Sequence, residues 1–410
     1  MKKLFLTLGL CIAVSVAFGQ KKAVAEALRL AKDAKPNFGE ARTKIKAALA
    51  NEETKNDPKT WYTAGQIESI VIDGEITKQV LGKQPDEATM YAALENLYPY
   101  FIKAYELDNL PNEKGKVKPK YTKDMKAILR ADLPYYINGG IYFFEKQDFK
   151  KAYAFFDDYI EISDSKLMKE GEKEGVEVPV DSSYIYANYY AALASSQLND
   201  HNIAIAAMKR AAKQEYNQYE VFQYLAEEYR NIADTVNFEA TLGQGHALFP
   251  KDPYFLFNLI NIYIQTGRNE KAIDYINTAI TNDPANANLY DVAGRIYESG
   301  FKNLEKAEEY FIKAIERDSE NAETQSNLGR IYFNQGVNQL DVANSIQDTK
   351  KYNEEKAKAN ELFKKALPYF EKSLELSPDI SETKVALRSI YYNLNMGDKL
   401  SEIEKLMENN

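Results

Sequence analysis

Chemistry has few places to begin in this chain. Among 410 residues there are two histidines, His201 and His246, and one cysteine, Cys11. The histidines are 45 residues apart, one in the polar turn Leu198-Asn199-Asp200-His201-Asn202 and one between Gly245 and Ala247. Neither belongs to an H-E-x-x-H helix, and two isolated imidazoles make no metal cluster. No G-x-S-x-G elbow is present to carry a nucleophilic serine. The carboxylate pairs Asp157-Asp158, Glu227-Glu228 and Glu308-Glu309 are adjacent, so on helices their side chains diverge, whereas a general acid and base must converge on one substrate. These pairs read as solvated helix faces. Calcium loops of the EF-hand type are missing too. The expectation is no catalysis, no metal and no cofactor.

A basic residue beside a glycine is the remaining chemical signal. Ala293-Gly294-Arg295-Ile296-Tyr297 returns 35 residues later as Leu328-Gly329-Arg330-Ile331-Tyr332. A phosphate site needs a glycine-rich turn leading into a helix N-terminus. Here each glycine is single and mid-helix: Leu289, Ala293, Ile296 and Tyr297 fall at i, i+4, i+7 and i+8, one helical face. Glycine costs about 1 kcal/mol against alanine inside a helix, so its presence points to a neighbour that must come close.

What positions these residues is a repeated pair of helices. After Ser299-Gly300, a second helix carries Ala307, Phe311, Ala314 and Ile315 on one face, and Asp318-Ser319-Glu320-Asn321 ends it. Ala272, Ile276, Ala279 and Pro284 are spaced by 4, 3 and 5, and so are Ala366, Phe370, Ser373 and Pro378. Ala272 to Ala307 spans 35 residues, and Ala204 to Ala272 spans 68, or twice 34. A helix-turn-helix unit of about 34 residues resembles the tetratricopeptide repeat. Tyr290, Ala293-Gly294, Tyr297, Ala307, Phe311 and Ala314 match that family's pattern, with one extra residue in the turn. Trp61 with Ala64-Gly65, and Leu328-Gly329 with Tyr332, open further copies.

The resemblance implies an all-α, right-handed α-solenoid of tetratricopeptide-type repeats over nearly the whole chain. The units fall near 22–56, 57–112, 121–165, 182–216, 217–252, 253–286, 287–320 and 321–378. The domain reading is 1–19 signal peptide; 20–165 N-terminal repeats with an insertion near 70–90; 166–181 polar linker; 182–378 C-terminal repeats with an insertion near 337–362; and 381–408 capping helices.

Lys2 and Lys3, the 15-residue apolar run Leu4 to Phe18 and the small residues Ala17 and Gly19 have the form of a secretory signal, cut between Gly19 and Gln20. The run is short for a membrane span. Leu10 precedes Cys11 and apolar residues follow it, which does not suit a lipoprotein anchor. Cleavage would remove Cys11 and take the net charge from −9 to −11 by loss of two lysines. Such a charge argues against nucleic acid and against tight binding to an anionic membrane. Charges of both signs interleave along the helical faces, with no long single-sign run. The expected location is the periplasm or outer-membrane periphery of a Gram-negative bacterium.

Function is then expected on the first helices, which in this family line a concave groove holding a segment of a partner protein. Carried over, the groove positions are Tyr186, Tyr189, Tyr254, Phe257, Asn261, Arg295, Arg330 and Phe333. Tyrosine supplies contact area at small entropy cost and arginine binds carboxylates in fork geometry. The family's carboxylate clamp wants Lys four residues before such an arginine; Asp291 and Ser326 stand there instead, and Asp291 is spaced to pair with Arg295. The expected role is a non-catalytic interaction scaffold in the cell envelope binding a protein or peptide segment. The alternative is an outer-membrane-associated glycan-binding protein, for which Trp61, at a packing position, offers no sugar platform.

Overall fold

A computed structural model describes residues 21–171 and 181–408. The signal segment 1–19, with Cys11, lies outside the described residues. The chain divides into two compact units, Met1–Thr235 and Val236–Asn410. Among the described residues all regular structure is helical.

Unit 1 contains α1 (21–32), α2 (Phe38–Ala50), α3 (Pro58–Val80), α4 (Glu87–Asp108), α5 (Thr122–Glu145), α6 (Phe149–Asp164), α7 (Lys166–Lys169), α8 (Ser182–Ser195), α9 (His201–Ala211) and α10 (Gln218–Asn231). Unit 2 contains α11 (Thr235–Leu248) apart from its first residue, α12 (Pro253–Gln265), α13 (Asn269–Asn282), α14 (Ala287–Arg295) with a π turn Ile296–Gly300, α15 (Leu304–Arg317), α16 (Ala322–Asn344), α17 (Thr349–Leu376), α18 (Ser381–Asn393) and α19 (Gly397–Glu408). Each unit is a stack of helical hairpins, the α-solenoid of helical repeats that the resemblance implies.

Helix starts are written in Asp and Asn. Asp57, Asp148, Asp181, Asp252, Asn303, Asn321 and Asp348 each accept an N–H of the first turn on the side chain, satisfying donors that the helix itself leaves orphaned. The turns inside the hairpins share one device. Gln147, Ala233, Gly267 and Asn395 adopt positive φ, four residues after Phe143, Tyr229, Tyr263 and Tyr391. The next N–H, of Asp148, Asp234, Arg268 and Met396, donates to the carbonyl of that aromatic residue at 2.8–2.9 Å, a Schellman closure. In the α14–α15 hairpin the positive-φ residue is Lys302, five residues after Tyr297. The extra residue is absorbed by the π turn, where Phe301 N–H donates to Ile296 O at 3.1 Å, and the closure survives as Asn303 N–H to Tyr297 O at 2.8 Å.

The glycines of the repeated motif face phenylalanine rings. A Cβ on Gly294 would lie 2.7 Å from Cδ1 and Cε1 of Phe311, on the second helix of the same hairpin, and Phe311 is fully buried. In α16–α17 there are two such contacts, Gly329 with Phe370 and Gly336 with Phe363. They are seven residues apart on both strands of the hairpin, two helical turns, so the insertion near 337–362 lengthens a repeat hairpin in register. The insertion near 70–90 is similar: it extends α3 and begins α4, burying Val71, Ile72, Met90 and Tyr91.

The stretch 166–181 is not wholly a linker. Lys166–Lys169 forms a turn of helix capped by Ser165, with Leu167 and Met168 buried in the unit 1 core; 172–180 lies outside the described residues. On either side α6 and α8 share that core, Phe156 lying 6.4 Å from Tyr186 and 5.8 Å from Tyr190. The compact units therefore part at Thr235, inside the 217–252 repeat.

Two carboxyls of unit 1 are held away from water. Asp132 is buried, its Oδ2 has no hydrogen-bond partner, and burial, with Asp73 adding, pushes its carboxyl up to about 7. Asp158, half-buried, is raised to about 7 by burial and then by Glu161, Asp157 and Glu95. The unfolded chain titrates near 4. A folded carboxyl raised above that value contributes stability that is full below about pH 4 and lost as the pH rises through about 7. Asp132→Asn should therefore stabilise unit 1 at pH 8 by on the order of 1–3 kcal/mol and change little at pH 4.5. Thermal melts of parent and variant at the two pH values check this; a variant weaker than the parent at pH 8 contradicts it.

Candidate binding surface

The first helices of unit 2 carry most of the expected site. On α12, Phe257 is 39% exposed and lines a cleft of about 370 Å³ with Leu256, Asn282 and Leu289, while Asn261 is exposed one turn on. Tyr254 is half-buried, its ring edge-on to Phe255 at 5.2 Å.

The two arginines of the repeated motif are not free donors. Arg295 Nε lies 3.0 Å from Asp291 Oδ2, the i, i+4 pair the spacing suggests. Asp291 also accepts from Asn327 Nδ2 of α16 at 3.0 Å. Arg330 donates to Asn327 Oδ1 at 2.9 Å and pairs with Glu298. A polar chain thus runs from Arg295 through Asp291, Asn327 and Arg330 to Glu298, linking neighbouring repeats. Two carboxylates balance two guanidiniums, so the strong positive field expected of this pair is largely cancelled at home.

Phe333, half-buried on α16, packs edge-on against Phe370 at 6.1 Å. With Arg330, Asn334, Ser326 and Phe370 it lines a second cleft of about 370 Å³, closed on the other side by Ser381, Glu382, Val385 and Ala386 of α18. Sequence reading treated α18 as a cap and missed these residues. Its exposed stripe is Glu382, Val385, Arg388 and Tyr392, with Val385 50% and Tyr392 71% exposed. Val385 and Tyr392, seven residues apart on one face, were the available signal: a purely polar cap would not carry them.

In unit 1 the two expected tyrosines turn inward. Tyr189 is buried, donates its hydroxyl to Glu220 of α10 and sits edge-on to Tyr216 at 5.2 Å. Tyr186 packs at a tilt against Tyr190 with centroids 4.1 Å apart, and burial raises its hydroxyl to about 12. Both fill space between helices, so Tyr189 is removed from the accessible surface. A 14-residue helix of small and aromatic residues buries most of its circumference, and periodicity alone did not separate its faces.

The carboxylate pairs also differ from the solvated faces expected. Glu228 is buried, with Oε2 2.7 Å from His201 Nδ1. Asp157 pairs with Arg210, and Glu308 accepts from the Tyr332 hydroxyl at 2.6 Å. His246 lies 5.4 Å from the Tyr275 ring and burial lowers its pKa. Among the described residues no group of three or more His, Cys, Asp or Glu is arranged to hold a metal ion.

Family comparison adds to this geometry. Residues 237–287 and 287–321 each match a tetratricopeptide-repeat family model, the second coinciding with the hairpin of the Ala293–Tyr297 motif. No curated protein sequence matches the chain. Similar solved structures include MamA, 19% identical over 48% of this chain and 94% of that one with a TM-score of 0.35. A tetratricopeptide-repeat protein from Bacteroides fragilis is 20% identical over 64% of this chain and 98% of its own, TM-score 0.31. YrrB, described as a repeat protein with an unusual peptide-binding site, is 20% identical over 49% and 93%, TM-score 0.33. Residues 237–321 are therefore built of tetratricopeptide repeats, matched end to end by two repeat models, and glycine-on-phenylalanine contacts recur on both sides of that stretch.

Proposed function

We propose that this protein is a non-catalytic protein–protein interaction scaffold whose first-helix groove in unit 2 binds a segment of a partner protein. One observation carries the reading: the cleft between α16 and α18, lined by the apolar Phe333, Phe370, Val385 and Ala386 together with the polar Ser326, Arg330, Asn334, Ser381 and Glu382. A cleft with apolar and polar lining residues side by side accepts one anchoring side chain of a peptide and offers hydrogen bonds to the backbone around it. Phe257, exposed on α12, offers a second apolar contact. Because Arg330 and Arg295 already hold carboxylates, the anchor is apolar and charge is secondary. What supports a cell-envelope location is the N-terminal sequence, Lys2-Lys3 followed by the apolar run 4–18.

Selection of a displayed-peptide library on the purified chain, followed by titration calorimetry, tests the reading. Val385→Asp places a charge in the cleft lining at a position that is 50% exposed and that the fold tolerates. It should weaken selected peptides at least about tenfold, as truncation of a central anchor does. Glu309→Lys, on a second helix, should leave affinity unchanged. Peptides that bind Val385→Asp as well as the parent, or a glycan array that binds where no peptide does, would remove the proposal.

A further inference from the structure

The helix-connecting segment between α4 and α5 departs from the charge balance of the rest of the chain. It reads Leu110-Pro-Asn-Glu-Lys-Gly-Lys-Val-Lys-Pro-Lys120, with lysines at 114, 116, 118 and 120 against one acid, Glu113, in a protein of net charge −9. Every residue from 110 to 120 is exposed or at its exposed edge, and none of the four ammonium groups is in an ion pair among the described residues.

The segment is built, not slack. Asn112 Oδ1 accepts from Lys114 N at 2.9 Å and Lys116 N at 3.1 Å, Gly115 takes the positive φ of 70° that the turn requires, and Asn112 N–H donates to Lys116 O at 3.0 Å. At the far end the buried Asp108 carboxylate accepts from Lys120 N at 2.6 Å and Tyr121 N at 2.8 Å, and Tyr121 stacks on Tyr62 at 4.6 Å. Pro119 disfavours helical backbone at Lys118 and biases it toward an extended conformation. In extended chain, alternate residues share a side and recur about every 7 Å. Of the acids that flank the loop, Asp108 accepts from the backbone donors of Lys120 and Tyr121 and Asp124 lies 3.3 Å from the Tyr62 hydroxyl.

Two large apolar side chains stand among these lysines: Leu110 is 61% exposed and Val117, between Lys116 and Lys118, is 49% exposed. We infer that this loop is a peripheral docking point for an anionic phospholipid surface, its ammonium groups meeting headgroup phosphates while Leu110 and Val117 enter the interfacial layer. A convex loop fits a plane of headgroups. A dissolved polyanion such as a nucleic acid calls for a basic groove with stacking aromatics or arginines, and this loop has neither. The negative charge of the whole chain does not forbid it, because screening limits each charge to about 10 Å at 0.1 M salt and local charge decides contact. Each lysine near an anionic surface contributes roughly fivefold to partitioning, and apolar tips add a part that salt does not remove. The inference is independent of the cleft in unit 2.

The test is co-sedimentation of protein beginning at Gln20 with vesicles of phosphatidylcholine alone or with 30% phosphatidylglycerol, at ~50 and ~500 mM NaCl. Expected are weak, reversible binding to the anionic vesicles only, strongly reduced but not abolished at high salt. Replacing Lys114, Lys116, Lys118 and Lys120 by Gln should cut partitioning at least about tenfold. A charge-matched control with Lys32, Lys213, Lys350 and Lys405 replaced by Gln should bind like the parent, and Leu110→Asn with Val117→Asn should lower binding at both salt concentrations. Unchanged melting curves establish that the variants are folded. No binding to anionic vesicles, equal loss in the control, or retention by heparin without vesicle binding would overturn the inference.

Discussion

Gly294→Leu is expected to destabilise unit 2 by about 3 kcal/mol, at the upper end of overpacking effects. Even a Cβ at this position would sit 2.7 Å from the Phe311 ring, and that ring is fully buried. The change forces the hairpin apart although leucine is a better helix former than glycine, because the propensity gain is only about 1 kcal/mol. Contacts in repeat stacks run between neighbours, so hydrogen exchange should quicken first over 287–317 and spread outward. Phe311→Ala alone leaves a cavity costing roughly 3–5 kcal/mol. Combined with Gly294→Leu, the new side chain occupies part of that space, and the pair should be at least ~1 kcal/mol less damaging than the sum. Urea unfolding of the four proteins measures this. Additive losses, or a Gly294→Leu melt like the parent's, would mean that the glycine is not there for the ring.

Arg42→Met should cost unit 1 about 3 kcal/mol at neutral pH. Glu68 is buried in α3, and Arg42 of α2 reaches it through Nε at 3.0 and 3.1 Å and through Nη2. The pairing raises the Arg42 pKa, chiefly through this hydrogen bond. Methionine keeps the packing of the aliphatic stem but leaves a carboxylate buried and unpaired, the costly way to break an ion pair. Removing both charges, Arg42→Met with Glu68→Leu, should recover most of the loss, since a well-packed apolar pair is often as stable as a buried salt bridge. Denaturation of the single and double variants decides it: a double variant as weak as Arg42→Met would assign the effect to lost packing around Arg42.

The sequence determined the hairpin repeat and, in the second helices, the residues that are buried, such as Ala307, Phe311 and Ala314. Those features are local: a 3.6-residue period and partners about 17 residues away across one turn, as Gly294 and Phe311 are. It also foretold Arg295 with Asp291, a pair within one helix. Only the tertiary structure decided that Arg330 is bound by Glu298, that Asp291 holds Asn327, that Glu228 is buried against His201, that Tyr189 is inside, that α18 completes a cleft with α16, and that Asp108 pins a lysine loop into order. The reason is geometric. Periodicity states that a residue faces a neighbouring helix, while which long polar side chains meet there depends on the offset and rotation between helices. A shift of a fraction of a turn exchanges one partner for another and leaves the hydrophobic pattern unchanged.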